Sequence, residues 1–241
     1  MPSAELGVTV MALVALVAGV IRGFGGFGGP AFILAILTIF YPPTMIVGKV
    51  LVVDFIASLF LFRAVFSEIN WRATLGLAIP SILLLPVGHW LLLEMDADLL
   101  SQGISLTILV TSLAMLSGWR YRKTPGMAGI IAVGALSGLV FGASYIALVA
   151  VTAILLGPWN HREARNLIIS WAFLVQICFA VMTVTGGTVD RDDLLIALPG
   201  AVLYLGGTWV GAHLFRDAGE ARYRNVALFI LVALSVIGLL Y

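Results

Sequence analysis

Ionisable side chains are scarce in this sequence, and four of them stand where they could hold an anion or carry a proton: Arg22, Lys49, Asp54 and Arg165. Arg22 abuts the run Gly23-Phe24-Gly25-Gly26-Phe27-Gly28-Gly29-Pro30. Glycine lets backbone turn freely and approach a ligand closely. N–H groups left open at a helix end, with the helix dipole behind them, form an anion site. Gly25, Gly26, Phe27, Gly28 and Gly29 are therefore candidate ligand contacts. Gly25 and Gly29 also have the G-x-x-x-G spacing of close helix packing, so both roles stay open. The run also reads G-x-G-x-x-G. That dinucleotide fingerprint requires a preceding strand within a βαβ unit, and only apolar helical sequence precedes it here.

The other three ionisable residues are connected by a repeat. GKVLVVDF, Gly48 to Phe55, matches ARNLIISW, Ala164 to Trp171. The match pairs Lys49 with Arg165 and Asp54 with Ser170, and adds Asn166 and Ser170 to the candidate contacts. Two cations at equivalent positions suit an oxyanion, with Arg165 offering a bidentate fork and Lys49 a point charge. Long basic side chains reaching for the membrane interface read the same way. Asp54 lies deep in an apolar run. It is either a proton-coupling carboxylate or an ion-pair partner for Lys49 or Arg22. Arg22 is an intramembrane cation if the glycine turn lies at depth and an interfacial anchor if it does not. The glycine turn has its own counterpart in Gly138 to Ser144, which makes Phe141, Gly142, Ala143 and Ser144 candidates as well.

Apolar sequence must position these residues. Hydrophobic residues make up 61% of the 241 and charged residues 10%, against about 25% charged in a soluble domain. A net charge of +1 gives no reason to expect a nucleic-acid partner. The single cysteine, Cys178, excludes an internal disulfide. The apolar runs are Leu6–Ile21, Ala31–Tyr41, Met45–Phe66, Arg72–Leu93 and Leu99–Trp119, then Met127–Phe141, Ser144–Leu156, Ala164–Val184, Leu194–Phe215 and Tyr223–Tyr241. An all-α polytopic membrane protein follows, with the lipid bilayer as its solvent. No Lys or Arg precedes the first run and Glu5 stands where a positive leader belongs, so that run is expected to stay in the mature fold. The first two runs of each half are too short for a ~30 Å hydrocarbon core, which predicts a broken or re-entrant hairpin opening each half.

The halves, 1–119 and 126–241, are joined by Arg120-Tyr121-Arg122-Lys123-Thr124-Pro125. Pro80 followed by Gly88-His89-Trp90 recurs as Pro199 followed by Gly207-Thr208-Trp209 at the same spacing. Five runs per half make the second copy enter from the opposite face, an inverted repeat with its site expected at the repeat interface near the midplane. With the linker in the cytoplasm, Arg22, Arg63, Arg72, Arg162, Arg165, Arg216, Arg222 and Arg224 all fall inside, and only Lys49 and Arg191 fall outside. The positive-inside rule then places both termini extracytoplasmically, in a cell (inner) membrane protein.

The glycine motif G-F-G-G-F-G-G-P, the helix start near Lys49 and the Leu136-Ser137-Gly138 to Ser144 segment resemble the sulfite exporter TauE/SafE family, also called the toluene sulfonate uptake permease family. The resemblance covers essentially the whole chain. The second motif departs from it, with Val140-Phe141 and Ala143-Ser144 where more glycine is usual. Membership implies a permease for sulfite, sulfonates or other organosulfur anions. The expectation is a secondary transporter working by alternating access, with no cofactor, no metal and no catalytic residue. Proton coupling and a homodimer are left open. The rivals are an anion channel and an intramembrane enzyme or assembly factor. The sequence has no H-E-x-x-H, G-x-S-x-G or P-loop signature, and His89, His161 and His213 have no metal-ligand spacing.

Overall fold

Backbone in hydrocarbon must satisfy its hydrogen bonds within the segment, and a helix does so locally. The computed structural model describes residues 4–121, 125–187, 191–217, 229, 232–233 and 235–236, without side chains for 4–11, 191–196 and 215–217. Nine α-helices are assigned among them: α1 Ala4–Gly25, α2 Gly29–Leu37, α3 Pro43–Val65, α4 Trp71–Glu94, α5 Ala97–Leu116, α6 Met127–Ser144, α7 Leu148–Leu155, α8 His161–Thr185 and α9 Arg191–Asp217. Five stretches, ending or beginning with α3, α4, α5, α6 and α8, are long and apolar enough to cross a membrane. The protein is thus a polytopic all-α membrane protein. Arg122, Lys123 and Thr124 of the linker, Arg222, Arg224 and most of the run Tyr223–Tyr241 lie outside the described residues, as do the side chains of Arg191 and Arg216.

The two hairpins take a form the sequence reading did not foresee. Only the second member of each pair is short: α2 has nine residues and α7 eight, or roughly 12–14 Å at 1.5 Å per residue. The first members are longer than expected. α1 runs on through Arg22 to Gly25, and α6 through Phe141, Gly142 and Ala143 to Ser144. Arg22 does not end its helix because its charge is met inside the protein, as described below. The breaks share their spacing and an initial positive φ. α1 ends at Gly25, Gly26 takes a φ of +74° and α2 starts at Gly29; α6 ends at Ser144, Tyr145 takes a φ of +59° and α7 starts at Leu148. The second break therefore lies one helical turn beyond the register in which the sequence paired Gly23–Gly29 with Gly138–Ser144.

Packing is reciprocal between the halves. α1 lies along α9 and α6 along α4, while α3 contacts α9 and α8 contacts α4. Small residues set the close distances. A β-carbon on Gly23 would sit 2.0 Å from the Thr208 carbonyl oxygen of α9, and one on Gly138 would sit 2.0 Å from the Ser81 carbonyl oxygen of α4. Backbones meet because lipid gives helices little reason to associate except close van der Waals contact. Polar side chains add crossings: Trp171 donates to the Ser81 hydroxyl at 3.0 Å, and that hydroxyl also reaches the Gly134 carbonyl at 2.8 Å.

Gly138→Ala should therefore destabilise the protein in detergent by about 1–3 kcal/mol or more, the usual cost of overpacking, and lower its melting midpoint. Gly103→Ala in α5 meets nothing within 4 Å and should be neutral or stabilising by up to about 1 kcal/mol. Equal effects of the two would remove the packing role of Gly138.

Candidate functional site

Asp54 is eleven residues from either end of α3, and Tyr204 is thirteen from either end of α9. Both are therefore at mid-helix, and in the spanning helix α3 that is where an ionised group without partners is most costly. Asp54 is 2% exposed and Arg22 is 3% exposed. The two form an ion pair, with Arg22 Nε 3.0 Å from Asp54 Oδ1. Nε is not aligned as a hydrogen-bond donor, so the Nε contact is electrostatic. The guanidinium's other nitrogens donate to the Gly26 carbonyl and, at 2.7 Å, to the Ser58 hydroxyl. Ser58 donates onward to Asp54 Oδ2 at 3.0 Å, one turn along α3.

Three further donors surround the carboxylate. Tyr204 donates to Oδ1 at 2.6 Å, Tyr145 to Oδ2 at 3.3 Å and Gln176 Nε2 to Oδ2 at 3.4 Å. Gln176 also donates to the Tyr145 hydroxyl. Asp54 thus ties together α1, α3, α8, α9 and the α6–α7 break. Tyr145 holds a left-handed backbone that costs a bulky residue on the order of 1–3 kcal/mol. Its hydroxyl bonds and its ring contacts with Phe141 and Phe179, at centroid distances of 4.9 and 5.5 Å, hold it there.

Beside the cluster is a cavity of about 20 Å³, lined by Gly28, Pro30 and Ala31 at the start of α2 and by Ala147 and Leu148 at the start of α7. Arg22, Asp54, Phe141, Tyr145, Ala172 and Gln176 complete its wall. That volume admits about one water. The first N–H groups of a helix have no partner within it, and its N-terminus carries roughly half a positive charge. At the end of α1 the Gly23 carbonyl accepts from Arg165 at 3.1 Å, and the Gly26 carbonyl just beyond it accepts from Arg22. Residues at the positive ends of two helices therefore line a cavity whose ion pair is internally neutral, an arrangement suited to a small anion.

A family model described as Sulfite exporter TauE/SafE matches residues 11–237, nearly the whole chain. The chain belongs to the sulfite exporter TauE/SafE family. No curated protein and no solved structure matches it. Membership makes this a multi-pass membrane transporter, of a family of permeases for anionic sulfur compounds.

In this TauE/SafE protein the sequence-derived candidates divide between the cavity, the first break and several separate contacts. Arg22, Gly28, Asp54 and Phe141 line the cavity, and Gly26 accepts from Arg22. Gly25 ends α1 at the first break and buried Phe27 lies within it; Gly29 presses against the Tyr204 hydroxyl, 2.2 Å from where its β-carbon would be. Gly142, Ala143 and Ser144 are helical rather than part of a turn. Gly142 packs against the Leu85 carbonyl of α4, and Ser144 donates to Val140 of its own helix. Arg165 touches the first break. Lys49 donates to the Met45 carbonyl of its own helix at 2.9 Å. Ser170 bonds Thr74 at 2.9 Å. Asn166 donates to Glu68 at 2.9 Å, in a polar crevice of about 570 Å³ where Glu68 also pairs with Arg162. Ser58, Tyr145, Gln176 and Tyr204 escaped sequence reasoning. Gln176 was the most accessible of these, being an amide deep within the apolar run Ala164–Val184.

Asp54→Asn leaves Arg22 buried without its counter-charge, at a cost of about 3–5 kcal/mol. Its melting midpoint should drop steeply, and adding Arg22→Gln should recover part of the loss. Strictly additive losses in the double variant would show that the two side chains do not act as a pair.

Proposed function

We propose that this chain is a secondary transporter of a small sulfur-containing oxyanion, sulfite or a sulfonate, and that the anion is held between the two helix breaks. One observation carries the reading: the first turns of α2 and α7, from opposite halves of the chain, line the same mid-span cavity as a buried arginine and a buried amide. Irregular backbone at membrane depth is tolerated where it lines a cavity. Paired half-helices pointing their N-termini at a shared site fit transporters built as inverted repeats. The reciprocal packing of α1 on α9 and α6 on α4 supports two such halves, 1–119 and 126–241, within one integrated membrane domain.

The cavity is too small for an oxyanion in this conformation. The anion is admitted when the α1–α9 unit rocks against the α4–α6 unit and is released on the opposite face, which is alternating access. Glu68 and Arg162 bring the α3–α4 and α7–α8 connections to one face, where Arg63, Arg72 and Arg165 also lie in the sequence-derived topology. That face is the cytoplasmic one on this reading, the termini are extracytoplasmic and the membrane is the cell membrane. Arg165, joined to the first break, supplies positive charge between the crevice and the cavity. Asp54 acts as the partner that orients Arg22.

Purified protein in liposomes should take up radiolabelled sulfite with saturation and should show counterflow against unlabelled sulfite. Ala172→Phe, which fills the cavity wall, should lower uptake at least tenfold while the protein remains monodisperse. Flux linear in concentration without counterflow would make this a channel. Full activity of Ala172→Phe would move the anion elsewhere.

A further inference from the structure

Gln176 presents the cavity with something an anion site does not require. Its amide orientation is set by the neighbouring carboxylate. Nε2 lies 3.4 Å from Asp54 Oδ2 and donates to the Tyr145 hydroxyl. Turning the amide over would bring two acceptor oxygens together, so Nε2 faces the cluster and Oε1 faces away from it. Gln176 is 1% exposed, lines the cavity, and its Oε1 has no hydrogen-bond partner. A buried carbonyl left unpaired is costly, so a ligand that takes the place of water in the cavity must bring a donor of its own for Oε1.

Every other polar group at the cavity offers donors to a ligand or is already occupied. The helix ends present N–H groups, Arg22 presents a guanidinium, and the acceptor capacity of Asp54 is taken up by Arg22, Ser58, Tyr145, Gln176 and Tyr204. Oε1 is the one open side-chain acceptor among the residues that line the cavity. An oxyanion bearing only acceptor oxygens satisfies the helix ends but leaves Oε1 unpaired. An anion of the same charge with an O–H or N–H on its sulfur satisfies both.

We infer that Gln176 is a specificity-determining residue, and that the site prefers a sulfur oxyanion carrying a hydrogen-bond donor, such as hydrogen sulfite or sulfamate, over one without. The inference rests on the anion site proposed above and adds to it the protonation class of the ligand. A site built to hydrogen-bond a substrate donor rejects the analogue that lacks it because a buried group is then left unpaired.

Sulfamate and methanesulfonate test this directly. Both are monoanions of one shape around neutral pH; they differ in an NH₂ where the other has CH₃. Calorimetric titration of the purified full-length protein should show sulfamate binding about tenfold more tightly. In Gln176→Met, which keeps an unbranched side chain and removes Oε1, the ratio should fall to near one. Equal affinities in the wild-type protein would overturn the inference while leaving the site standing, as would a preference unchanged in Gln176→Met. Binding of neither anion by wild type would overturn the site itself, and the inference with it. The wild-type ratio decides alone if Gln176→Met does not fold.

Discussion

A guanidinium and a carboxylate 3.0 Å apart at the middle of a membrane span constrain everything packed around them. Neither charge is tolerable there alone. Once Asp54 is fixed halfway along α3, Arg22 must come to the same depth, and α1 must remain helical until it arrives. The helix can then break only after Arg22 has been placed, which is where Gly26 turns. The remaining lone pairs of Asp54 draw in Tyr204 from α9, Gln176 from α8 and Tyr145 from the second break. Five parts of the fold are thereby held at one point, and both short helices begin beside it.

This pinning explains how a protein with backbone-tight helix pairs can still hold irregular segments open. α1–α9 and α4–α6 approach until a single methyl group would collide, so each pair behaves as a rigid unit. Movement between the pairs is then cheaper than movement within them. The hydrogen bonds of Asp54 connect the α1–α9 pair to the α6–α7 break, so the cluster lies on the boundary that the proposed rocking would cross. A buried ionic cluster adds little net stability compared with a well-packed apolar core. Its contribution here is to specify depth and register.

Much of the architecture was legible from composition and run length. Apolar stretches of about twenty residues admit only a helical answer, and Pro42-Pro43 and the charged connections punctuate them clearly. Arg22 and Asp54 were legible as well, because a charge inside an apolar run requires an explanation; the choice of Arg22 over Lys49 as partner was not, since sequence gives no depth for the glycine turn. The second break was misplaced by one helical turn because glycine was taken as its marker. Gly138 and Gly142 serve helix contact instead, and the turn falls on Tyr145, a residue whose positive φ is maintained by tertiary bonds that no local pattern encodes. The same limit hid Tyr204 and Ser58, which look like ordinary span residues until α1, α3 and α9 are assembled.

The most direct test of the account is an experimental structure of the protein with selenite, whose selenium reveals its position by anomalous scattering. The account expects one peak between the first turns of α2 and α7, within hydrogen-bonding reach of Arg22 or Gln176. A peak beside Lys49, or in the crevice at Arg162 and Asn166 with none at mid-span, would contradict it.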